Sequence, residues 1–363
     1  MNDNGNPGIA ETNKTEIAER TEAERITISS DTLLTVSSSP HIKGGETTST
    51  IMAAVIISLV PSLVWAVYIF GLRALTLTLV SVVSCVFFEF AYQKIAKKRV
   101  TVGDLSAVVT GMLIAFNLPV SSPLWGPIIG SAFAIIIVKQ LFGGIGKNIV
   151  NPAIAARVFM FLSFNFMSVF YDSGSYKFPA FKINLNIESL DIVAGATPLS
   201  IEFLKQGKLP DIDFFNMFLG WQKNGCIGEI SVLLLVAGGI FLIWRKIISW
   251  HIPVSFIGAV ALLTLLFPKG SDGLVFMTAE LFSGGLFLGA IFMATDYATS
   301  PLTKNGKLIF GAGCGLITVF IRYFGAYPEG VSFAIMIMNL FVWYLDRLTR
   351  PVKFGGSAKN VGK

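Results

Sequence analysis

From about residue 50 onward the chain is a succession of apolar runs divided by short polar turns and by one long polar interruption. A helix that crosses a bilayer needs about 20 apolar residues. By that measure the pattern predicts ten spans, at 50–70, 72–93, 104–118, 125–142, 150–170, 228–248, 251–267, 273–295, 307–325 and 331–347. The third is short and the seventh nearly so, which admits re-entrant or broken helices. The expected fold is an all-α integral membrane protein. Its parts are a polar tail at 1–47, five spans within 48–170, a polar loop at 171–227, five more spans within 228–350 and a short tail at 351–363. No basic-then-apolar leader pattern opens the chain, so no cleaved signal peptide is expected.

The cations of the short turns agree with this division. Lys94, Lys97, Lys98 and Arg99, then Lys147, Arg245 and Lys246, Lys304 and Lys307, and finally Arg347, Arg350 and Lys353 all fall on one side if both termini are cytoplasmic. The opposite turns are poorer in cations, with Arg73 and Lys269, while the last of them carries Glu329. The loop 171–227 then lies on the outer side.

The two groups of spans resemble each other. Ser122-Pro123-Leu124 is matched by Ser300-Pro301-Leu302, Gly126 by Gly306, and Lys139 by Arg322, each cation leading into a Phe-Gly pair. The offsets are 178, 180 and 183 residues, taken from those numbers. Five spans is an odd number, so a duplicated five-span unit re-enters from the opposite face. The expectation is two inverted five-helix repeats, with sites near the membrane midplane.

Composition narrows the chemistry. Charged residues are 14% against about 25% in soluble domains, and mean hydropathy is +0.69, so most of the surface faces lipid or apolar protein. The net charge of +6 is accounted for by cytoplasmic turns, and nucleic acid is not an expected partner. Cys85, Cys226 and Cys314 form no close pair, and His41 and His251 are the only histidines. A four-cysteine cluster is thereby excluded, and neither a bis-histidine haem nor another metal site is expected.

Several motifs bear on the chemistry. Gly143-Gly144-Ile-Gly-Lys147-Asn148 fails as a phosphate loop, because position 141 is Leu and position 148 is Asn. Gly311-Ala-Gly313-Cys-Gly315 fails as a dinucleotide fingerprint and is better explained by close helix packing. Around Gly143, Gly144, Asn148 and Asn151 the exposed backbone suits a planar ligand or an ion, although a turn with Asn151 capping a helix at Pro152 is the plainer explanation. Ionisable residues within or beside the spans are Glu89, Asp104, Lys139, Arg157, Glu280, Asp296, Arg322 and Asp346. Lys139, Asp296 and Asp346 lie near span ends, where snorkelling or an ion pair suffices. Glu280 lies deepest and is the leading relay candidate for a cation or proton, with Asp296 beside it.

In the outer loop, Thr197 precedes Pro198 and reads locally as a helix N-cap. Asp191-Ile-Val-Ala-Gly-Ala-Thr197 also resembles the flavin-attachment motif Asp-x-x-(Ser/Thr)-Gly-Ala-Thr, with Ala194 departing from it. Together with Ser39-Pro40-His41, the Phe142–Ala153 stretch, Met293-Ala-Thr-Asp296 with Thr299-Ser-Pro301, and Tyr327-Pro-Glu-Gly330, it is similar to the D subunits of Rnf electron-transport complexes. The B subunits of sodium-translocating NADH:quinone reductases share much of this pattern but carry a longer N-terminal region.

The resemblance implies FMN joined through its phosphate to Thr197, and a noncovalent riboflavin in the membrane part. It implies electron transfer between ferredoxin and NAD coupled to Na+ or H+ movement across a bacterial inner membrane. The implied partners are the other complex subunits, including a second subunit with covalent FMN and iron–sulfur subunits, together with a flavin transferase for maturation. The implied fold is the ten-helix inverted repeat of urea transporters. A cofactor-free channel of that fold is the alternative from another class.

Overall fold

The computed structural model describes residues 47–168, 214–221, 225–269, 272–325 and 329–351. Both expected tails and most of the polar loop, Thr197 included, lie outside the described residues. Every one of the ten expected segments holds a helix at nearly its expected place.

The first two helices are long enough to cross a bilayer. α1 (Thr48–Phe70) and α2 (Leu72–Ile95) have 23 and 24 residues, about 35 Å each at the helical rise. Gly71, at φ 77°, separates them in a left-handed conformation open to glycine. α11 (Lys304–Phe324) and α12 (Val331–Leu348) are the other two long apolar helices. All four bury one stripe and expose large apolar side chains on the other. Val64, Val83, Phe320 and Trp343 are among those turned outward, as a lipid-facing surface requires.

The shorter helices are α3 (Ser106–Phe116), α4 (Trp125–Ala132, continued by a π-helical stretch Phe133–Gln140), α5 (Pro152–Ser163), α7 (Val232–Trp244) and α8 (His251–Leu266). A further short helix, α6 (Phe214–Leu219), falls where the sequence predicts loop. α3 and α5 are buried along most of their length. Elements enclosed by protein need not match the bilayer thickness, because broken backbone is tolerated where lipid does not reach it.

One span is interrupted, and one connecting stretch is buried. The eighth segment is not one helix. α9 (Gly273–Phe282) and α10 (Leu286–Leu288, continued as a π-helical stretch Gly289–Met293) meet at a 64° bend. Ser283-Gly284-Gly285 makes the break, with Gly284 at φ 67°. The third segment stops at Asn117, and the stretch after it, expected at the membrane surface, is buried. It pairs with residues before α7: Ile227 N–H donates to the Leu118 carbonyl at 3.0 Å and Gly228 N–H to the Phe116 carbonyl at 2.8 Å. Gly228 is required there, since a Cβ would lie 2.3 Å from the Phe116 side chain.

The Gly311–Gly315 stretch packs as expected. Added Cβ atoms at Gly311 and Gly315 would press on α8, 2.8 Å from the Ile252 carbonyl oxygen and 2.9 Å from that of Phe256. Gly313 faces Met338 of α12 instead. The described residues thus form an all-helical membrane protein with four to five helices of spanning length and several shorter apolar ones.

Candidate functional site

A cavity of about 370 Å³ opens among α1, α3, α4, α5, α7 and the turn after α10, within the usual range for small-molecule pockets. Its walls are mainly apolar, from Ile51, Val55, Leu113, Leu242, Ile291 and Phe292. Polar groups enter at separate points: Lys139, Asn148, Asn151 and Asp296. Such a space suits a flat, largely apolar molecule with hydrogen-bonding edges.

Asn151 is held from two sides. Its Oδ1 caps α5 by accepting from Ala153 N–H at 2.9 Å, while its Nδ2 donates to the Met293 carbonyl at 3.1 Å. With the Asn339 amide oriented to satisfy its own neighbours, Asn339 accepts from Asn151 N–H at 3.1 Å and donates to the Thr299 carbonyl at 3.0 Å. The capping expectation at Asn151–Pro152 therefore holds, and the same residue also lines the cavity. Asn148 lines it too. Gly143 and Gly144 do not. They have φ of 114° and 96° and form the turn beside it.

Asp296 sits half-buried just beyond the π-helical stretch and lines the cavity. Thr299 Oγ1 donates to its carboxylate at 3.1 Å. Desolvation raises its pKa, against hydrogen bonds from Thr299, the Ala298 backbone and Asn148 and against the Lys139 charge.

Lys139, for which an ion pair is one expected account, is 3% exposed. Its ammonium lies 2.9 Å from both Glu89 carboxylate oxygens and 2.6 Å from Ser106 Oγ. Gln140 and Gln93 also donate to Glu89, at 2.9 and 3.3 Å. Sequence patterning does not place Lys139 at a ligand site. The signal is a Glu and a Lys on separate apolar helices, but which helices adjoin is a tertiary fact.

Glu280 is wholly buried and paired with Arg322, which also donates to the Glu280 and Ser283 carbonyls. It does not line the cavity. Arg157 pairs with Glu329 and donates to the Asn117 carboxamide oxygen. Near it, Cys226, Glu229 and Glu329 bring ligand-type atoms within 4.8 Å of one another. The Arg157 guanidinium already places a positive charge at that cluster. Asp104 accepts from Ser106, and Asp346 accepts from Leu302 N–H at 2.9 Å, both structural roles at helix ends.

Comparison with known proteins agrees over nearly the whole chain. The NQR2, RnfD, RnfE family model matches residues 35–355. The D subunit of the Na(+)-translocating ferredoxin:NAD(+) oxidoreductase complex of Acetobacterium woodii is 47% identical over 324 residues, covering 89% of this chain and 95% of the relative. The D subunit of the proton-translocating ferredoxin:NAD(+) oxidoreductase complex of Clostridium ljungdahlii is 40% identical, covering 89% and 96%. The D subunit of the ion-translocating oxidoreductase complex of Actinobacillus succinogenes is 35% identical, covering 87% and 96%. With a family match spanning both groups of helices and relatives aligned almost end to end, this chain belongs to the NQR2, RnfD, RnfE family.

Proposed function

We propose that the protein is the D subunit of an ion-translocating ferredoxin:NAD oxidoreductase complex, carrying electrons through FMN held covalently at Thr197. The quinone-reductase B subunit is the second reading. Identities of 47% and 40% to D subunits of ferredoxin:NAD complexes favour the first. The observation that carries the flavin is the Asp191–Thr197 motif in a member of this family. A cofactor-free channel has no use for that motif.

Thr197 precedes Pro198, a sequence pattern of helix starts, and a phosphate ester at such a start would lie beside N–H groups that favour negative charge. Asp191, Gly195 and Ala196 serve as recognition sequence for the flavin transferase.

A noncovalent riboflavin belongs in the cavity bounded by Lys139, Asn148, Asn151 and Asp296. The fit rests on the donor set: apolar walls for the ring faces, cation and amide donors for carbonyl edges, and a carboxylate for a ring N–H. Bound flavin supplies electron transfer, and the protein supplies position, charge and exclusion of water.

The architecture in this reading is ten spans in two inverted repeats, with both termini cytoplasmic and Thr197 outside. Matching segments support it. Lys139 and Arg322 end corresponding helices, and each is buried against a glutamate. Segments three and eight, which correspond, both depart from a plain span, the third being short and buried and the eighth broken. The partners are the remaining subunits, among them a second covalent-FMN subunit and iron–sulfur subunits. Glu280 and Asp296 are the proposed stations for the translocated ion.

The test is in-gel fluorescence of the denatured chain co-expressed with a flavin transferase, beside Thr197→Ala. Fluorescence is expected in the wild type alone. A dark wild-type band overturns the covalent-flavin reading. Labelling of a cysteine placed at Ser189 is expected from outside, and labelling only from the cytoplasm overturns the orientation.

A further inference from the structure

We propose that Lys139, held by Glu89, is the cation that makes the cavity bind a reduced, negatively charged ring more tightly than the neutral oxidised one. This rests on the reading that the cavity holds a noncovalent flavin.

A buried lysine needs an explanation, because removing an ammonium from water costs several kcal/mol even after relaxation. An apolar residue would fill the same space on α4. Lys139 instead sits on the π-helical stretch, a widened turn of the kind that re-aims side chains at functional sites. Glu89 is 1% exposed and takes part of the charge. It is itself fixed by Gln140 and Gln93, and Gln93 is anchored to Thr101 by Nε2 to Oγ1 at 2.9 Å and by Thr101 N–H to Oε1 at 2.9 Å. The pair is therefore braced in one geometry.

The arrangement is directional. Lys139 forms part of the cavity wall and Glu89 does not. The positive end of the pair is presented to a ligand, and the negative end is turned into the packed region between α2 and α4. Glu89 and Ser106 occupy two sides of the ammonium, which has three donors to give. The two Glu89 oxygens and Ser106 Oγ match those three donors, so the ammonium reaches a ligand through its charge. Asp296, also on the cavity wall, accepts from Thr299 Oγ1 at 3.1 Å. A ring with carbonyl oxygens flanking an N–H can address both groups, which fixes its orientation as well as its charge.

The electron balance is simple. One electron added to a neutral ring leaves one negative charge on it, with no bond formed and no proton taken up. Reduced iron–sulfur protein is the donor class in the complex, and dithionite replaces it in the test. In a water-poor cavity that charge is stabilised by the nearest fixed cation. Lys139 acts on the ring's charge, so its effect appears as a difference in affinity between two redox states.

The experiment uses the full chain, expressed without flavin transferase, purified in detergent and loaded with riboflavin. Fluorescence quenching gives the affinity for oxidised riboflavin, and reductive titration of its absorbance gives the midpoint potential. The Lys139→Met/Glu89→Gln double variant removes both charges and leaves neither buried alone. Whatever it loses toward oxidised riboflavin, it is expected to lose about tenfold more toward the reduced ring. That ratio is a fall of about 59 mV for one electron. Lys139→Arg is expected to stay near the wild-type potential. An unchanged potential in the double variant means equal loss toward both redox states, which marks a structural role and overturns the proposal. In the wild type, sulfite adds to the ring and leaves it negatively charged. It is expected to bind at least about tenfold more tightly than to free riboflavin, and equal affinity overturns the proposal without any variant. Failure of the wild type to bind riboflavin defeats the cavity reading instead, and is read separately by the first measurement.

Discussion

The Asn151 side chain donates to the backbone carbonyl of Met293 at 3.1 Å, joining residues 142 positions apart. One amide thereby starts α5 and pins the end of the π-helical stretch after α10. The two groups of helices are joined at the cavity itself, so the shape of the cavity depends on contacts between them.

Replacing Asn151 is expected to be costly for that reason. Asn151→Ala loses an N-cap worth about 1 kcal/mol and leaves the buried Met293 carbonyl without this donor, about 1–3 kcal/mol more. Asn151→Asp keeps the capping acceptor and loses the donor, so its melting temperature in detergent is expected between wild type and Asn151→Ala. Equal melting temperatures for Asn151→Asp and wild type would show that the Met293 bond contributes nothing.

The Glu280–Arg322 pair separates structure from transport. Removing one partner of a buried pair typically costs about 3–5 kcal/mol, because the other charge is left alone. Glu280→Gln and Arg322→Met are each expected to melt well below wild type, and the double variant is expected to recover part of the loss. If Glu280 is an ion station, the folded Glu280→Gln complex transfers electrons without building an ion gradient. Wild-type ion transport by that complex removes Glu280 from the pathway.

Glycines on neighbouring helices are expected to differ sharply. Gly311→Ala on α11 drives a methyl against α8, within 1.9 Å of Ser255 Oγ and 2.8 Å of the Ile252 carbonyl. Overpacking of this kind costs about 1–3 kcal/mol. Gly258 on α8 has nothing within 4 Å of an added Cβ, so Gly258→Ala is expected to stabilise by up to about 1 kcal/mol through helix propensity. Thermal unfolding of the two variants side by side checks the difference in sign.

The cavity and Thr197 are expected to hold their flavins independently. Thr110 lines the cavity, and Thr110→Phe adds a ring's volume there. Acid extraction of the purified complex is expected to release little riboflavin from Thr110→Phe, while the in-gel fluorescence due to Thr197 persists. Full extractable riboflavin in this variant places that flavin elsewhere.

The helices are readable from the chain because lipid imposes a simple rule. Long apolar runs become helices, and polar interruptions become turns. α1, α2, α11 and α12 fall almost at their expected ends. The break at Ser283-Gly284-Gly285 is not readable in the same way, because an apolar run looks continuous when its interruption is enclosed by protein. The buried stretch after Asn117 is hidden for the same reason, since an uncharged turn looks alike at a surface and in an interior.

At the site, the chain alone marks the Asp191–Thr197 motif, the glycine and asparagine stretch, and the deep carboxylate at Glu280. Local spacing also determines the cap at Asn151, which depends on neighbours two and three residues away. Tertiary structure alone decides that Asn148 and Asn151 reach the cavity while Gly143 and Gly144 shape its adjoining turn. It likewise decides that Lys139 meets Glu89, 50 positions distant, and that Glu280 is neutralised by Arg322. Hydropathy reports the cost of moving each residue out of water, one position at a time. Pairing of buried charges depends on which helices lie side by side, and that is settled only when the helices pack.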